Sequence, residues 1–244
     1  MNYAIIPAAG AGRRMGGDRT KQFLELAGEP VAIHTLRRFD ECPAVDAVIV
    51  AVPADDVAMF LDLAGRAGLR KIERVIPGGA ERQESVARAL ASIRPESAGI
   101  VVVHDAVRPF VTSEQIAEVI AAAAIHGAAI LAQPASDTVK EVCDGKVVRT
   151  LDRSRIALAQ TPQAFAYGIL RDAHARAANE GWTVTDDASL VEQARGTVAV
   201  VAGSSRNIKI THPDDMALAE LLFEEEFGRS ASGKGRSRRL RDRR

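Results

Sequence analysis

The sequence predicts an α/β fold: a mostly parallel sheet with helices on both faces, and a β-arm that projects from it. Three observations carry this. Short, wholly apolar runs such as Tyr3–Ile6 and Ile100–Val103 alternate with longer segments whose apolar residues recur at helical spacing, the pattern of βαβ units. The first run leads into a loop of small residues. The alternation breaks once, at two β-prone runs around Asp144-Gly145. With 244 residues, 47% of them hydrophobic and 26% charged, the chain is long enough to bury one large core.

Tyr3–Ile6, too short for a helix and closed by Pro7, reads as a buried strand. Residues 30–41 read as a helix, 45–52 as a buried strand, and 55–67 as a helix with Val57, Phe60, Leu61 and Ala64 on one face. A third strand over 71–76 is closed by Pro77-Gly78-Gly79, and a helix over 82–93 turns Val86, Ala89, Leu90 and Ile93 inward. The fourth strand, Ile100–Val103, runs straight into His104-Asp105. Ser113 opens a helix over 115–125, and 128–132 is a fifth strand. Then Thr138–Val142 and Lys146–Thr150 flank Asp144-Gly145 as a hairpin, with no helix between them. This arm, about 136–158, needs a surface to pack against, and a second copy of the chain is the expected partner. Thr161-Pro162-Gln163 leads into a helix over 167–179, and a helix over 186–195 is capped by acids. Residues 197–202 form a last core strand, 207–210 a short one, and 214–227 a terminal helix.

The domain is expected to end near residue 228. The stretch 229–244 carries eight basic residues and one acid, net +7 against −7 for the rest, lacks an apolar face, and reads as a disordered, solvated tail. Nucleic acid is not an expected partner. No apolar stretch is long enough to span a membrane, and the N-terminus enters a strand without a basic region and cleavage site, so a cytoplasmic protein is expected. Cys42 and Cys143 are far apart and lack paired spacing; they read as reduced and structural, with no zinc site.

The loop after the first strand is Pro7-Ala8-Ala9-Gly10-Ala11-Gly12-Arg13-Arg14-Met15. Its small residues let backbone N–H groups approach an anion, and Arg14 and Lys21 add fixed positive charge, which describes a polyphosphate cradle. A dinucleotide fingerprint would need a third glycine where Met15 stands. A Walker loop would need Gly-Lys-Ser/Thr, but Lys21 lies between Thr20 and Gln22. In an open α/β sheet, ligands bind beyond the carboxyl ends of the strands, which is where the Gly10 loop, Gly79, Asp105 and Arg108 fall. Asp105, ending a buried strand, is placed to hold Mg²⁺ on a phosphate, and Arg108 to face an anion. His104 reads as packed. Ser85 is either a helix cap or, with Gly79 and Ala80, part of the base end of a nucleotide site. Lys209 should point away from Ile208 and Ile210, into solvent or towards phosphate. Cations outnumber candidate bases, and no Ser-His-Asp or Cys-His arrangement is present. The balance favours phosphoryl or nucleotidyl transfer, in which positioning and charge neutralisation do most of the catalysis.

On these residues the chain resembles the 2-C-methyl-D-erythritol 4-phosphate cytidylyltransferases of the non-mevalonate isoprenoid pathway. The match runs from Tyr3 to about Leu222, through the Pro7–Met15 loop, Lys21-Gln22-Phe23, Gly78–Val86, His104–Pro109, Asp137–Lys140, Gln160–Gln163, Thr185–Asp187 and Asn207–Thr211. The resemblance implies a Rossmann-like, glycosyltransferase-A-like nucleotidyltransferase fold and a homodimer. It also implies transfer of CMP from CTP to methylerythritol phosphate, with release of pyrophosphate and use of Mg²⁺ or another divalent cation. Arg14, Lys21, Asp105 and Lys209 would be catalytic, Arg14 and Lys21 at the pentavalent α-phosphate, with Asp105 also at the metal. Pro7, Ala8, Ala9, Gly10, Ala11, Gly12, Gly79, Ala80, Ser85 and Ala106 would bind the nucleotide. Arg108, Thr161 and Thr185 would bind the sugar phosphate, with Thr138 and Arg153 reaching in from the partner's arm. Ribitol-5-phosphate cytidylyltransferases are similar but tend to begin Leu-Ala-Gly-Gly where this chain has Pro7-Ala8-Ala9-Gly10. Two positions depart from the family pattern: Thr20 stands where proline is usual, and Val107 where alanine is usual.

Overall fold

The computed structural model describes residues 1–10 and 23–228. The expected sites Ala11, Gly12, Arg14 and Lys21, the departure at Thr20, and the basic tail lie outside the described residues. Among the described residues the strands are β1 (Tyr3–Pro7), the two-residue β2 (Glu25–Leu26) and β3 (Glu29–Pro30), β4 (Ala47–Val52), β5 (Ile72–Pro77), β6 (Ile100–Val103), β7 (Ala128–Pro134), β8 (Lys140–Cys143), β9 (Lys146–Thr150), β10 (Ala157–Ala166) and β11 (Ala199–Ala202). The α-helices are α1 (Val31–Glu41), α2 (Val57–Arg66), α3 (Arg82–Ala91), α4 (Ser113–His126), α5 (Tyr167–Glu180), α6 (Asp187–Gln193) and α7 (Pro213–Phe223). Seven of these strands form one sheet in the order β11-β7-β10-β6-β1-β4-β5.

All neighbours in this sheet pair in parallel except β10, which runs antiparallel to both β6 and β7. Strands such as β1, β4 and β6 are apolar at every position because both faces are covered. Ala4, Ile6, Val48, Val50 and Val102 pack with Ile33, Leu36 and Phe39 of α1, Phe60 of α2, and Ile116 and Val119 of α4. Their chain neighbours Ile5, Ile49, Val101 and Val103 face the other way, onto Val86 and Leu90 of α3, Leu170 of α5, and Leu190 and Val191 of α6. Successive side chains alternate between faces, so each strand contributes to both cores.

Strand β10 corrects the sequence reading, which ran residues 161–163 directly into a helix. Residues 157–159 pair with β7 alone, and 163–165 pair with β6 and β7, with a register shift between Ala159 and Gln163. Gln160, Thr161 and Pro162 occupy this irregularity, and the polar residues and proline hide the strand signal. β11 is an edge strand with alternating exposure, not a core strand. Residues 207–210 form a loop and not a strand, closed by Ile210 N–H donating to Val107 O at 3.0 Å. The helix after β7's predecessor strand starts at Ser113, capped by Thr112 and Gln115 in a reciprocal capping box.

The arm is a separate two-stranded sheet, β8–β9, turning through Asp144 (φ 50°) and Gly145 (φ 74°) as the hairpin chemistry requires. Its Val142, Val147 and Val148 are each more than half exposed. Cys42 is buried and Cys143 is exposed on this arm; both are free, as the reduced reading expects, but exposure leaves Cys143 outside the core.

The switch in winding lies at β1. The chain passes from β1 outward to β4 and β5, then returns to β6 on the other side, which opens a crevice at the carboxyl ends of β1 and β6. Gly78, just past β5, packs against that crevice. A Cβ there would run into the Ala9 side chain and stand 2.9 Å from Ser85 Oγ, whereas one on Gly65 in α2 meets nothing within 4 Å. Gly78→Ala should therefore lower stability by about 1–3 kcal/mol, and Gly65→Ala should raise it by about 0.5–1 kcal/mol, both read by urea unfolding. A Gly78→Ala protein as stable as the parent would mean that the two loops are not in contact.

Candidate active site

The crevice holds two adjoining clefts. One, of about 190 Å³, is lined by Pro7, Ala8, Ala9 and Gly10 beyond β1, by Asp105, Ala106 and Val107 beyond β6, and by Arg82, Ser85 and Lys209. The other, of about 210 Å³, is lined by Arg108, Ala159, Gln160, Thr161, Gln163, Thr185 and Asp186, together with Arg82, Asp105 and Lys209.

Asp105 is the centre of both. Its backbone N–H donates to Thr161 Oγ1 at 3.1 Å, which ties the end of β6 to the irregular part of β10. Its Oδ1 lies 3.2 Å from Arg82 Nε, and its Oδ2 lies 2.8 Å from Lys209 Nζ and 3.6 Å from Arg108 Nε. Burial works against its charge, but Arg82, Lys209 and Arg108 together outweigh burial and hold its pKa far below the usual carboxylate range. Lys209 reaches this carboxylate while its side chain stays partly exposed to solvent.

The loop that presents Lys209 is built on Asn207, which is fully buried. Asn207 Nδ2 donates to Thr161 O at 2.8 Å, and its carbonyl accepts from Arg108 Nη1 at 2.6 Å. Arg108 is thus held between the loop and Asp105; burial draws its pKa down, offset in part by Asp105.

Ser85 is neither a cap nor solvent-facing. It lies in the first turn of α3, accepts from Gly79 N–H at 3.0 Å and donates to Glu81 O at 3.1 Å. Glu84 Oε2 accepts from Ala80 N–H at 2.9 Å. Gly79 and Ala80 therefore border the first cleft through Ser85 and do not line it. Val107 lines the first cleft and also packs with Leu26, Val31, Phe110 and Ile210. Thr138 and Arg153 lie on the exposed arm and line neither cleft; Arg153 Nη1 donates to Ser136 O at 2.7 Å.

The sequence reading missed Arg82, Asp187, Gln160 and Gln163. Arg82 Nη1 reaches Asp187 Oδ2 at 2.6 Å, and Asp187 is 1% exposed. Gln163 Nε2 donates to Asp186 Oδ2 at 2.7 Å, and its Oε1 accepts from Ala188 N–H. All four lie inside motifs already singled out, but at the start of a helix or beside a proline, where capping and turn roles account for them equally well.

No described group at the centre is a free base. His104 is buried, its ring centroid 5.0 Å from that of Phe39, with Nε2 3.1 Å from Arg108 O. Burial pushes its pKa down to about 4, so it is neutral, as a packed histidine should be. The arrangement suits a reaction in which the nucleophile arrives already anionic and the protein supplies fixed positive charge. Arg82, Arg108 and Lys209 converge on Asp105, and the Ala8–Gly10 loop lies beside them. Fold and site together define a nucleotidyltransferase.

The comparisons specify which one. The family model for IspD, 2-C-methyl-D-erythritol 4-phosphate cytidylyltransferase, matches residues 2–225, and the chain belongs to that family. A relative of this name from Symbiobacterium thermophilum is 50% identical over 225 residues, covering 91% of this chain and 92% of the relative. One from Pelotomaculum thermopropionicum is 46% identical over 234 residues, covering 95% and 98%. The crystal structure of 4-diphosphocytidyl-2C-methyl-D-erythritol synthase from Anaerococcus prevotii superposes with a TM-score of 0.81 at 30% identity, covering 92% of this chain and 96% of that one.

The neutral His104 has a consequence for stability. Its folded pKa, about 4, lies below the ordinary histidine value of 6.5, so between these values the unfolded chain binds a proton that the folded chain refuses. Stability should fall as pH drops through this window, by up to about 3 kcal/mol from this group. His104→Gln should flatten that part of the urea-midpoint profile from pH 7 to 4; an unchanged slope would remove His104 as its source.

Proposed function

We propose that the chain transfers CMP from CTP to 2-C-methyl-D-erythritol 4-phosphate in isoprenoid precursor synthesis. The observation that carries this is the three-cation cluster on Asp105 at the junction of two clefts, beside the small-residue loop. A phosphate oxygen of the acceptor attacks the α-phosphorus of CTP. The bond from that phosphorus to the bridging oxygen breaks, and pyrophosphate leaves with the electron pair. The attacking phosphate is ionised at neutral pH, so no protein base is required.

In this reading the nucleotide lies along Pro7–Gly12 with Ser85 and Ala106, and the acceptor lies in the cleft of Arg108, Thr161 and Thr185. Arg14 and Lys21 stabilise the α-phosphate as its charge rises. Ser85 and Glu84 take the N–H groups of Gly79 and Ala80 and so hold this loop at the border of the nucleotide cleft.

Asp105 fits a divalent cation shared with substrate: it is the carboxylate common to both clefts, and Mg²⁺ commonly takes one or two carboxylates together with phosphate oxygens. Among the described residues no cluster of three or more His, Cys, Asp or Glu forms a protein-only cage. When bound, the cation neutralises phosphate charge. Lys209, the more exposed partner of Asp105, moves its ammonium to an acceptor oxygen.

We also read the protein as a cytoplasmic homodimer. No helix among the described residues is long and apolar enough to cross a membrane. The arm exposes three valines and carries Thr138 and Arg153 away from this chain's own clefts. Packed on a second copy, it delivers both residues to the partner's acceptor cleft.

Two experiments test this. Pyrophosphate release with CTP and Mg²⁺ should occur with 2-C-methyl-D-erythritol 4-phosphate and not with an equal concentration of D-ribitol 5-phosphate; the reverse preference would keep the chemistry and overturn the acceptor. Arg153→Ala should mainly raise the acceptor's KM, and Lys21→Ala should lower kcat by about 100-fold or more. Mixed dimers of the two variants should regain activity, because one of the two sites is then intact. Absence of rescue in confirmed heterodimers would place Arg153 in its own chain's site.

A further inference from the structure

Arg82, Asp105 and Lys209 are the residues that line both clefts, so they stand where the two substrates meet. Of these, Arg82 has no role in the reading above. It opens α3, and its guanidinium is divided: Nε faces Asp105 Oδ1 at 3.2 Å, and Nη1 faces Asp187 Oδ2 at 2.6 Å. Nη2 is buried without a partner among the described residues. Asp187, the first residue of α6, turns its other oxygen to His174 Nε2 of α5 at 3.1 Å, and both side chains are buried. A continuous polar chain thus runs from the reacting centre to His174, outside the clefts.

We propose that Arg82 is a positioning residue for the transfer, and that Asp187, backed by His174, regulates how much of the Arg82 charge reaches Asp105 and the phosphates. The inference rests on the nucleotidyl-transfer reading. A guanidinium shared between two carboxylates leaves Asp105 Oδ2 to Lys209, to Arg108 and to whatever cation accompanies the phosphates. Without the Asp187 charge, Arg82 turns wholly to Asp105 and the bound anion. The site then gains one net positive charge and loses the orientation of its carboxylate. Nucleotide affinity should rise while turnover falls, whereas general loosening of the site would lower both.

The test uses the full chain and two readouts, CTP binding by calorimetry with and without Mg²⁺, and steady-state pyrophosphate release. Asp187→Asn should bind CTP several-fold more tightly than the parent, most clearly without Mg²⁺, and lose about tenfold or more in kcat. His174→Leu should move both readouts the same way by less, and His174→Gln, which keeps a donor for Asp187, should lie between it and the parent. CTP binding that weakens in step with thermal stability, or kcat within about twofold of the parent, would overturn the proposal. Should Asp187→Asn not fold, Arg82→Lys decides: lysine keeps the charge but cannot face both carboxylates in a planar fork. It should lose about tenfold in kcat with CTP affinity within about threefold of the parent, and retained kcat would overturn the proposal. If the parent released no pyrophosphate, the transfer reading itself would fail, and the CTP affinity of Asp187→Asn would still decide whether Asp187 restrains Arg82.

Discussion

The site depends on keeping one buried carboxylate, Asp105, ionised. Taking a carboxylate out of water costs several kcal/mol, and the cost is offset only where opposite charges and hydrogen bonds meet it in good geometry. Here the offset comes from three separate parts of the chain: Arg82 at the start of α3, Arg108 three residues beyond Asp105, and Lys209 on the loop after β11. Each part is fixed by something other than Asp105. α3 is anchored by Val86, Ala89 and Leu90 in the core, and the Lys209 loop by Asn207 against Thr161. The cluster therefore depends on the packing of α3 and on the Asn207 loop as much as on the end of β6.

This explains which parts of the molecule were legible in the sequence. Strands covered on both faces show as unbroken apolar runs, and the helices between them show their periodicity, so β1, β4, β6 and their helices were found within a few residues. β10 was not. Where it crosses the site, its backbone leaves the regular register and carries Gln160, Thr161 and Pro162, so function removed the pattern by which strands are recognised. The Lys209 segment failed in the opposite direction. Its alternation of Ile208, Lys209 and Ile210 resembles a strand, yet tertiary hydrogen bonds to Val107, Arg108 and Thr161 make it a loop.

Among site residues, those beside glycines or at the end of an apolar run could be placed at the correct sheet edge from order alone. Arg82 and Asp187 could not, because they lie 105 residues apart, and nothing local separates an ion-paired arginine from an exposed one. The arm lies between these cases. Asp144-Gly145 declares the hairpin, but nothing local in the sequence says how far its valines are exposed.

The same charge arrangement links stability to chemistry. A site built around a general base needs a group whose pKa lies near the working pH. The centre here goes the other way: burial holds His104 neutral, and the surrounding cations hold Asp105 ionised, so neither changes charge near neutrality. A centre with fixed charges can bind and orient phosphates without exchanging a proton, provided that the nucleophile brings its own negative charge. A phosphate acceptor meets that condition, because it is ionised at neutral pH, whereas a hydroxyl must first lose a proton.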